Sequence, residues 1–263
     1  MQLSNRDRAA FIACLRAANE AAFQGWDFSY MDQYGGNPGE PFEWSYEKTV
    51  RETAGKAASV LDMGTGGGEF FAALGPFAGD AYATESYPPN LPVAKKRLEP
   101  LGVKVIGLEG GKQEDCPTPF EDAFFDLVLN RHESYESRDV YRTLKSGGTF
   151  ITQQVGNSNL ESLRIHLGSL DAEEDLPWNL DTCKRFLIGA GFQIIRAKEH
   201  SGLSRFYDIR SLVYLLKAIP WEFPNFDPFK CQDQLLDIHI KILQDGYFDS
   251  TEHRFFVIAK KVR

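Results

Sequence analysis

The stretch VLDMGTGGGEF, residues 60–70, closes an apolar run on Asp62 and then places Gly64, Gly66, Gly67 and Gly68 within five positions. Glycine tolerates positive φ and carries no Cβ, so such a turn lets a ligand or another backbone approach closely. The acids around it narrow the ligand. Asp62 would repel a pyrophosphate but suits an amino-acid ammonium. Glu85 closes a second apolar run about 20 residues past the turn, where an acid can accept paired ribose hydroxyls, as it also does in dinucleotide sites. Glu114 or Asp115, in GGKQED, would meet an adenine amino group. Ammonium, ribose and adenine together describe S-adenosylmethionine better than NAD.

A second group, NRHESY, begins at Asn130. His132 titrates near neutrality and could accept a proton. Glu133 could orient it or bind a substrate cation; the plainer reading is that Asn130 and His132 only shape the cleft. No second histidine completes an H-E-x-x-H pair, and His166, His200, His239 and His253 are scattered, so no metal site is expected. Of Gln153 and Gln154, strand alternation sends one toward the cleft and the other into a packed layer. Aromatics crowd two regions, Trp26 to Tyr46 and Tyr207 to Phe223. They are expected mainly as a satellite core under a lid, with one or two lining the pocket.

These residues need elements to position them. Apolar positions at helical spacing predict a helix over 5–24, capped by Ser4 or Asn5, and a second from Tyr46 to Ala54. From Ala58 the pattern alternates: strands ASVLDMG, DAYATES, VKVIGLE, FFDLVLN, TFITQQV, QIIRAKEH and HRFFVIAKKV, with helices between several of them. RDVYRTLKSGG reads as a helix stopped by Gly147 and Gly148. Alternating strands and helices predict a mostly parallel sheet covered on both faces, with ligands at the C-terminal strand edge. The chain thus divides into a helical and aromatic cover (1–57), a binding core (58–200), an inserted lid (201–252) and a final core strand (253–263).

VLDMGTGGGEF, ATES, EDCPTPFEDAFFDLVLNRHE and LKSGGTFITQQ together resemble the class I S-adenosylmethionine-dependent methyltransferases. The resemblance covers roughly Ala58 to Val155 and, more loosely, the last helix and strands; over the whole chain it is to bacterial members with no assigned substrate. It implies the seven-stranded Rossmann-like fold. Asp62, Gly64, Gly66 and Gly68 match the family's D-x-G-x-G-x-G, with Thr65 inside it. Glu85, followed by Ser86, matches the ribose-binding acid, Glu114 or Asp115 the adenine-facing loop, and Asn130 the strand end beside the cofactor.

The formal net charge of −8 over 263 residues argues against a wide nucleic-acid or anionic-membrane surface. Charges interrupt the apolar N-terminal residues, so no signal peptide or membrane span is expected. The four cysteines form no CxxC pair, which suits reduced thiols in the cytoplasm. The reading that follows is an enzyme that methylates a small molecule. RNA or protein methylation, or a non-catalytic S-adenosylmethionine-binding regulator, are the alternatives.

Overall fold

The computed structural model describes residues 4–108, 117–168 and 176–262. Seven strands form one sheet: β1 (Ser59–Met63), β2 (Asp80–Glu85), β3 (Lys104–Gly107), β4 (Phe125–Arg131), β5 (Leu144–Val155), β6 (Phe192–Phe206) and β7 (Phe248–Lys261). Their order is β3-β2-β1-β4-β5-β7-β6. β7 alone runs against its neighbours. The expected seven-stranded, mostly parallel α/β sheet is therefore what the chain forms. Strand order reverses between β1 and β4, which puts Asp62 and Asn130 at the crevice where open α/β sheets bind ligands.

Helices α1 (Asn5–Glu20), α2 (Ser29–Asp32) and α3 (Tyr46–Ala54) precede the sheet. Ser4 caps α1 in a reciprocal box: its Oγ accepts the Asp7 N–H at 3.2 Å, and Asp7 Oδ2 accepts the Ser4 N–H at 3.3 Å. Helices α4 (Glu69–Leu74) and α5 (Leu91–Leu98) follow β1 and β2, and α6 (Ser137–Thr143) follows β4. α7 (Glu161–Leu167) and α8 (Leu180–Ala190) lie between β5 and β6; α9 (Ile209–Ala218) and α10 (Gln232–Asp245) lie between β6 and β7. Among the described residues no helix is long and apolar enough to cross a membrane.

Side-chain alternation divides the buried strand residues between two faces. Val60, Leu127, Leu129, Ile151 and Phe256 pack with Trp44, Tyr46, Val50 and the α4–α5 pair. Leu61, Val128, Phe150 and Val257 pack with Val140 of α6 and Leu187 of α8 on the other. A third core joins distant chain segments: Phe11 and Leu15 of α1 lie with Leu212 and Val213 of α9 and with Leu235 and Ile238 of α10. Tyr30 stacks on Tyr214 with centroids 4.6 Å apart. Many of the aromatics outside the central sheet thus form this satellite core.

Two expectations about element limits are corrected. Gly147 and Gly148 do not end a helix; α6 stops at Thr143, and both glycines lie inside β5, where its register with β4 shifts. β6 reaches past His200 and β7 begins before His253, because the two pair from Phe192↔Lys261 to Phe206↔Phe248 with one register shift between Ile194 and Arg196. The sequence conceals this extension: Leu203 is exposed while Ser204 is buried, so polarity does not alternate as in a half-buried strand.

Candidate functional site

Asp62, next to last in β1, lies on the face that carries Tyr46, and only 5% of it is exposed. Burial pushes its carboxyl up to about 7, more than Thr65 and the Arg131 guanidinium pull it back. Thr65 lies near that carboxyl, yet its Oγ1 has no hydrogen-bond partner of good geometry among the described residues. Tyr46 Oη donates to the Asn130 carbonyl at 3.2 Å. Its phenol is held well above its usual range by burial and then by the Asp62 charge. An isolated carboxyl of this kind gains most from a cationic partner.

The glycine turn is drawn against its neighbours. The Thr65 N–H donates to the Thr84 carbonyl at 2.9 Å, tying the turn to β2. Gly64 has φ +64, and a Cβ there would overlap the Glu133 side chain, so this position needs glycine for both conformation and space. Trp26, from the cover, lies 3.3 Å from where a Cβ on Gly66 would stand. It stacks on Trp221 of the β6–β7 insertion with centroids 5.8 Å apart. Cover and insertion therefore meet above the turn.

Glu85 ends β2 and is buried. Its Oε1 accepts the Tyr87 N–H at 2.7 Å. Burial raises this carboxyl; the peptide groups of Tyr87, Gly66 and Ser86 and the Asn90 side chain pull it back. Glu114 and Asp115 lie outside the described residues.

At the tip of β4 the side chains form two networks. Asn130, wholly buried, accepts at Oδ1 from Thr152 Oγ1 (3.2 Å) and Gln154 Nε2 (2.6 Å). Its Nδ2 has no partner among the described residues. Gln154 also donates to the Glu133 carbonyl at 3.2 Å. Gln153 points the opposite way. Its Oε1 accepts the Trp44 indole N–H at 2.8 Å, which turns its amide nitrogen to His132 Nε2 at 3.1 Å. An amide donor there requires that ring nitrogen to accept, so the neutral imidazole carries its proton on Nδ1. Burial, then Arg254 and Arg131, hold His132 well below its ordinary pKa. His132 itself sits at φ +64, its N–H donating to the Gln153 carbonyl at 2.8 Å.

The structure thus gathers Asp62, the glycine turn, Glu85, Asn130, His132 and Glu133 along one sheet edge. It adds Trp44, Tyr46, Arg131 and Arg254, which the sequence reading did not place there as site residues. Trp44 and Tyr46 arrive from more than 80 residues upstream of their partners, and no local spacing marks that. Arg131 adjoins His132 and was legible as a charge in the motif. Among the described residues no group of three or more His, Cys, Asp or Glu could hold a metal ion. His253 is bound between Ser158 Oγ at 2.8 Å and Glu199 Oε1 at 2.9 Å.

The chemistry of the donors fits S-adenosylmethionine: a cation-seeking carboxyl, an aimed acid at the next strand end, and a close-packed glycine turn between them. Residues 61–152 match a family model described as a methyltransferase domain. Among solved structures, a Bacillus halodurans C-125 protein described as a methyltransferase shares 19% identity over 82% of this chain and 97% of its own, with a TM-score of 0.58. A Galdieria sulphuraria protein described as a sarcosine dimethylglycine methyltransferase shares 15% over 82% and 83%, TM-score 0.52. The [4+2]-cyclase SpnF shares 13% over 98% and 94%, also at 0.52. At such identities the likeness shows the fold. No curated protein matches the chain by sequence.

Proposed function

We propose that this chain, whose residues 61–152 match a methyltransferase-domain model, is a class I S-adenosylmethionine-dependent methyltransferase that methylates a small molecule held beneath the Trp26–Trp221 cover. The observation that carries the reading is the pair of buried acids, Asp62 and Glu85, at neighbouring strand ends on either side of the glycine turn. Bound S-adenosylmethionine supplies a methyl on a positively charged sulfur, which leaves by in-line displacement.

The chain's own residues bind, aim and exclude water. The Asp62 carboxylate takes the ammonium, and Glu85 takes the ribose hydroxyls. Glu114 or Asp115 meets the adenine, while Thr65, Ser86 and the unpartnered amide of Asn130 complete the lining. His132 offers its Nδ1–H to the accepting molecule and so aligns it. It takes a proton at Nε2 only after Gln153 turns away. The Glu133 carboxylate, lying against Gly64, is the other group to receive a proton where the accepting atom still carries one. The net charge of −8 favours a small molecule over RNA, and a cytoplasmic location goes with this reading.

Calorimetric titration with S-adenosylmethionine, S-adenosylhomocysteine and NAD tests this. Micromolar binding of the two sulfur ligands, at least tenfold weaker in Glu85→Ala and absent for NAD, is expected. NAD binding alone would overturn the reading. The likeness to a cyclase allows a second reading, a fold that binds without transferring. The appearance of S-adenosylhomocysteine during incubation with mixed small-molecule acceptors separates the two.

A further inference from the structure

The tips of β4, β5 and β7 bring two arginines, Arg131 and Arg254, to one face. Arg131 pairs with Gln153 across β4 and β5, Gln153 with Phe256 across β5 and β7, and Val155 with Arg254. Paired residues share a face, as do alternate residues along a strand. Arg131, Gln153 and Arg254 therefore project together toward Trp44 and Tyr46, beside His132. Arg131 stands 4.6 Å above the Phe70 ring and has no ion pair among the described residues.

Arg254 is drawn inward, its side chain 19% exposed. Its Nη1 donates to the His253 carbonyl at 2.9 Å and to Asn159 Oδ1, which fixes the fork. Glu252 pairs with it loosely, its Oε1 3.8 Å from Nη2; burial raises that carboxyl, while Arg254 and His200 pull it back. Glu222 lies nearby but is engaged by Arg164 at 2.8 Å. Burial lowers the pKa of Arg254 more than the Glu252 and Glu222 charges raise it, and the Arg131 charge adds to the lowering. Arg131 is exposed at the rim of the face and Arg254 is drawn inward, so an anion between them would meet one solvated and one buried guanidinium. Guanidinium forks match the flat, two-oxygen edge of a carboxylate or phosphate, and an ammonium-bearing or neutral molecule gains nothing there.

We propose that the accepting molecule carries an oxyanion, a carboxylate or a phosphate, gripped between Arg131 and Arg254 so that its reacting atom lies against His132. The site then has two halves: acidic at β1 and β2, basic at β4 and β7. This assignment rests on the methyl-transfer reading for its consequence, but anion binding can be measured without it.

The test uses the full chain at low salt, with and without S-adenosylhomocysteine, and four probes: benzoate, inorganic phosphate, benzamide and benzylamine. Thermal shift and calorimetry should show saturable binding of benzoate or phosphate and none of benzamide or benzylamine. Arg131→Gln, an exposed position, should weaken that binding at least tenfold; Arg138→Gln, at a surface site on α6, should leave it unchanged. The imidazole resonances of His132 should titrate at higher pH with the oxyanion bound, because the flanking charge is neutralised. Binding that survives Arg131→Gln, equal binding of benzamide, or no oxyanion binding at all would overturn the proposal. S-adenosylhomocysteine binding without oxyanion binding would defeat this inference alone. Arg131-dependent oxyanion binding without S-adenosylhomocysteine binding would support the anion site and defeat the methyl-transfer reading.

Discussion

Asp62, the proposed partner of the ammonium, comes at a cost in stability. An ordinary Asp ionises near 3.8, whereas burial puts this one at about 7. The folded chain therefore holds a proton that the unfolded chain has released between those values, and stability falls as pH rises through that window. Above it, the ionised carboxyl costs about 4 kcal/mol. Asp62→Asn should raise the melting temperature more at pH 8.5 than at pH 5, while weakening S-adenosylmethionine binding at least tenfold. Melts at both pH values, with calorimetry at pH 8, check the two effects. A stability gain equal at both pH values would mean that the carboxyl is not held neutral by burial. Asp62 was legible in the sequence, since it closes an apolar run before glycines. Its raised pKa was not, because that depends on burial in the folded sheet and on Thr65, Arg131 and Glu85 around it.

At the scale of elements, the turn-to-helix junction after β1 is set by packing as much as by any ligand. Gly68 has φ +79 just before α4, and a Cβ there would stand 2.7 Å from Leu98 Cγ of α5. Gly68→Ala should cost about 1–3 kcal/mol by urea denaturation, from the left-handed conformation and the displaced leucine together. Gly189, near the end of α8, meets nothing within 4 Å. Gly189→Ala should instead stabilise by about 0.5–1 kcal/mol, through helix propensity and lost unfolded-state freedom. If both substitutions destabilised equally, the Leu98 contact would not be the cause. Strand and helix identities were readable here because periods of 2 and 3.6 differ plainly over long segments. The limits of α6, β5, β6 and β7 were not, because long-range pairing rather than local pattern sets them.

At the scale of the whole molecule, the cover and the insertion act as one body. Lys217 of α9 donates to the Ala18 and Asn19 carbonyls at the end of α1, at 3.3 and 2.7 Å, and Tyr214 Oη reaches the Ala22 carbonyl at 3.1 Å. Trp26 and Trp221 extend that contact above the glycine turn. Trp221 is 63% exposed, so Trp221→Ala should move the melting temperature by no more than about 2 °C. It should remove the near-ultraviolet dichroism of the stacked pair and weaken S-adenosylmethionine binding several-fold. Unchanged affinity would show that the stack covers the turn without contributing to binding.

What the sequence determined by itself was the class of sheet, the strand edge that carries the candidate site, and most of the acids and polar groups placed there. Those follow from hydrophobic period, from glycines beside a strand, and from charges a few residues away, all of them local. Only the tertiary structure decided that Trp44 turns Gln153 toward His132, that Glu133 fills the space above Gly64, and that Arg131 and Arg254 share a face. Each of those depends on strand register or on segments far apart in the chain. A one-residue change of register would reverse every such side chain, and nothing in the local pattern records it.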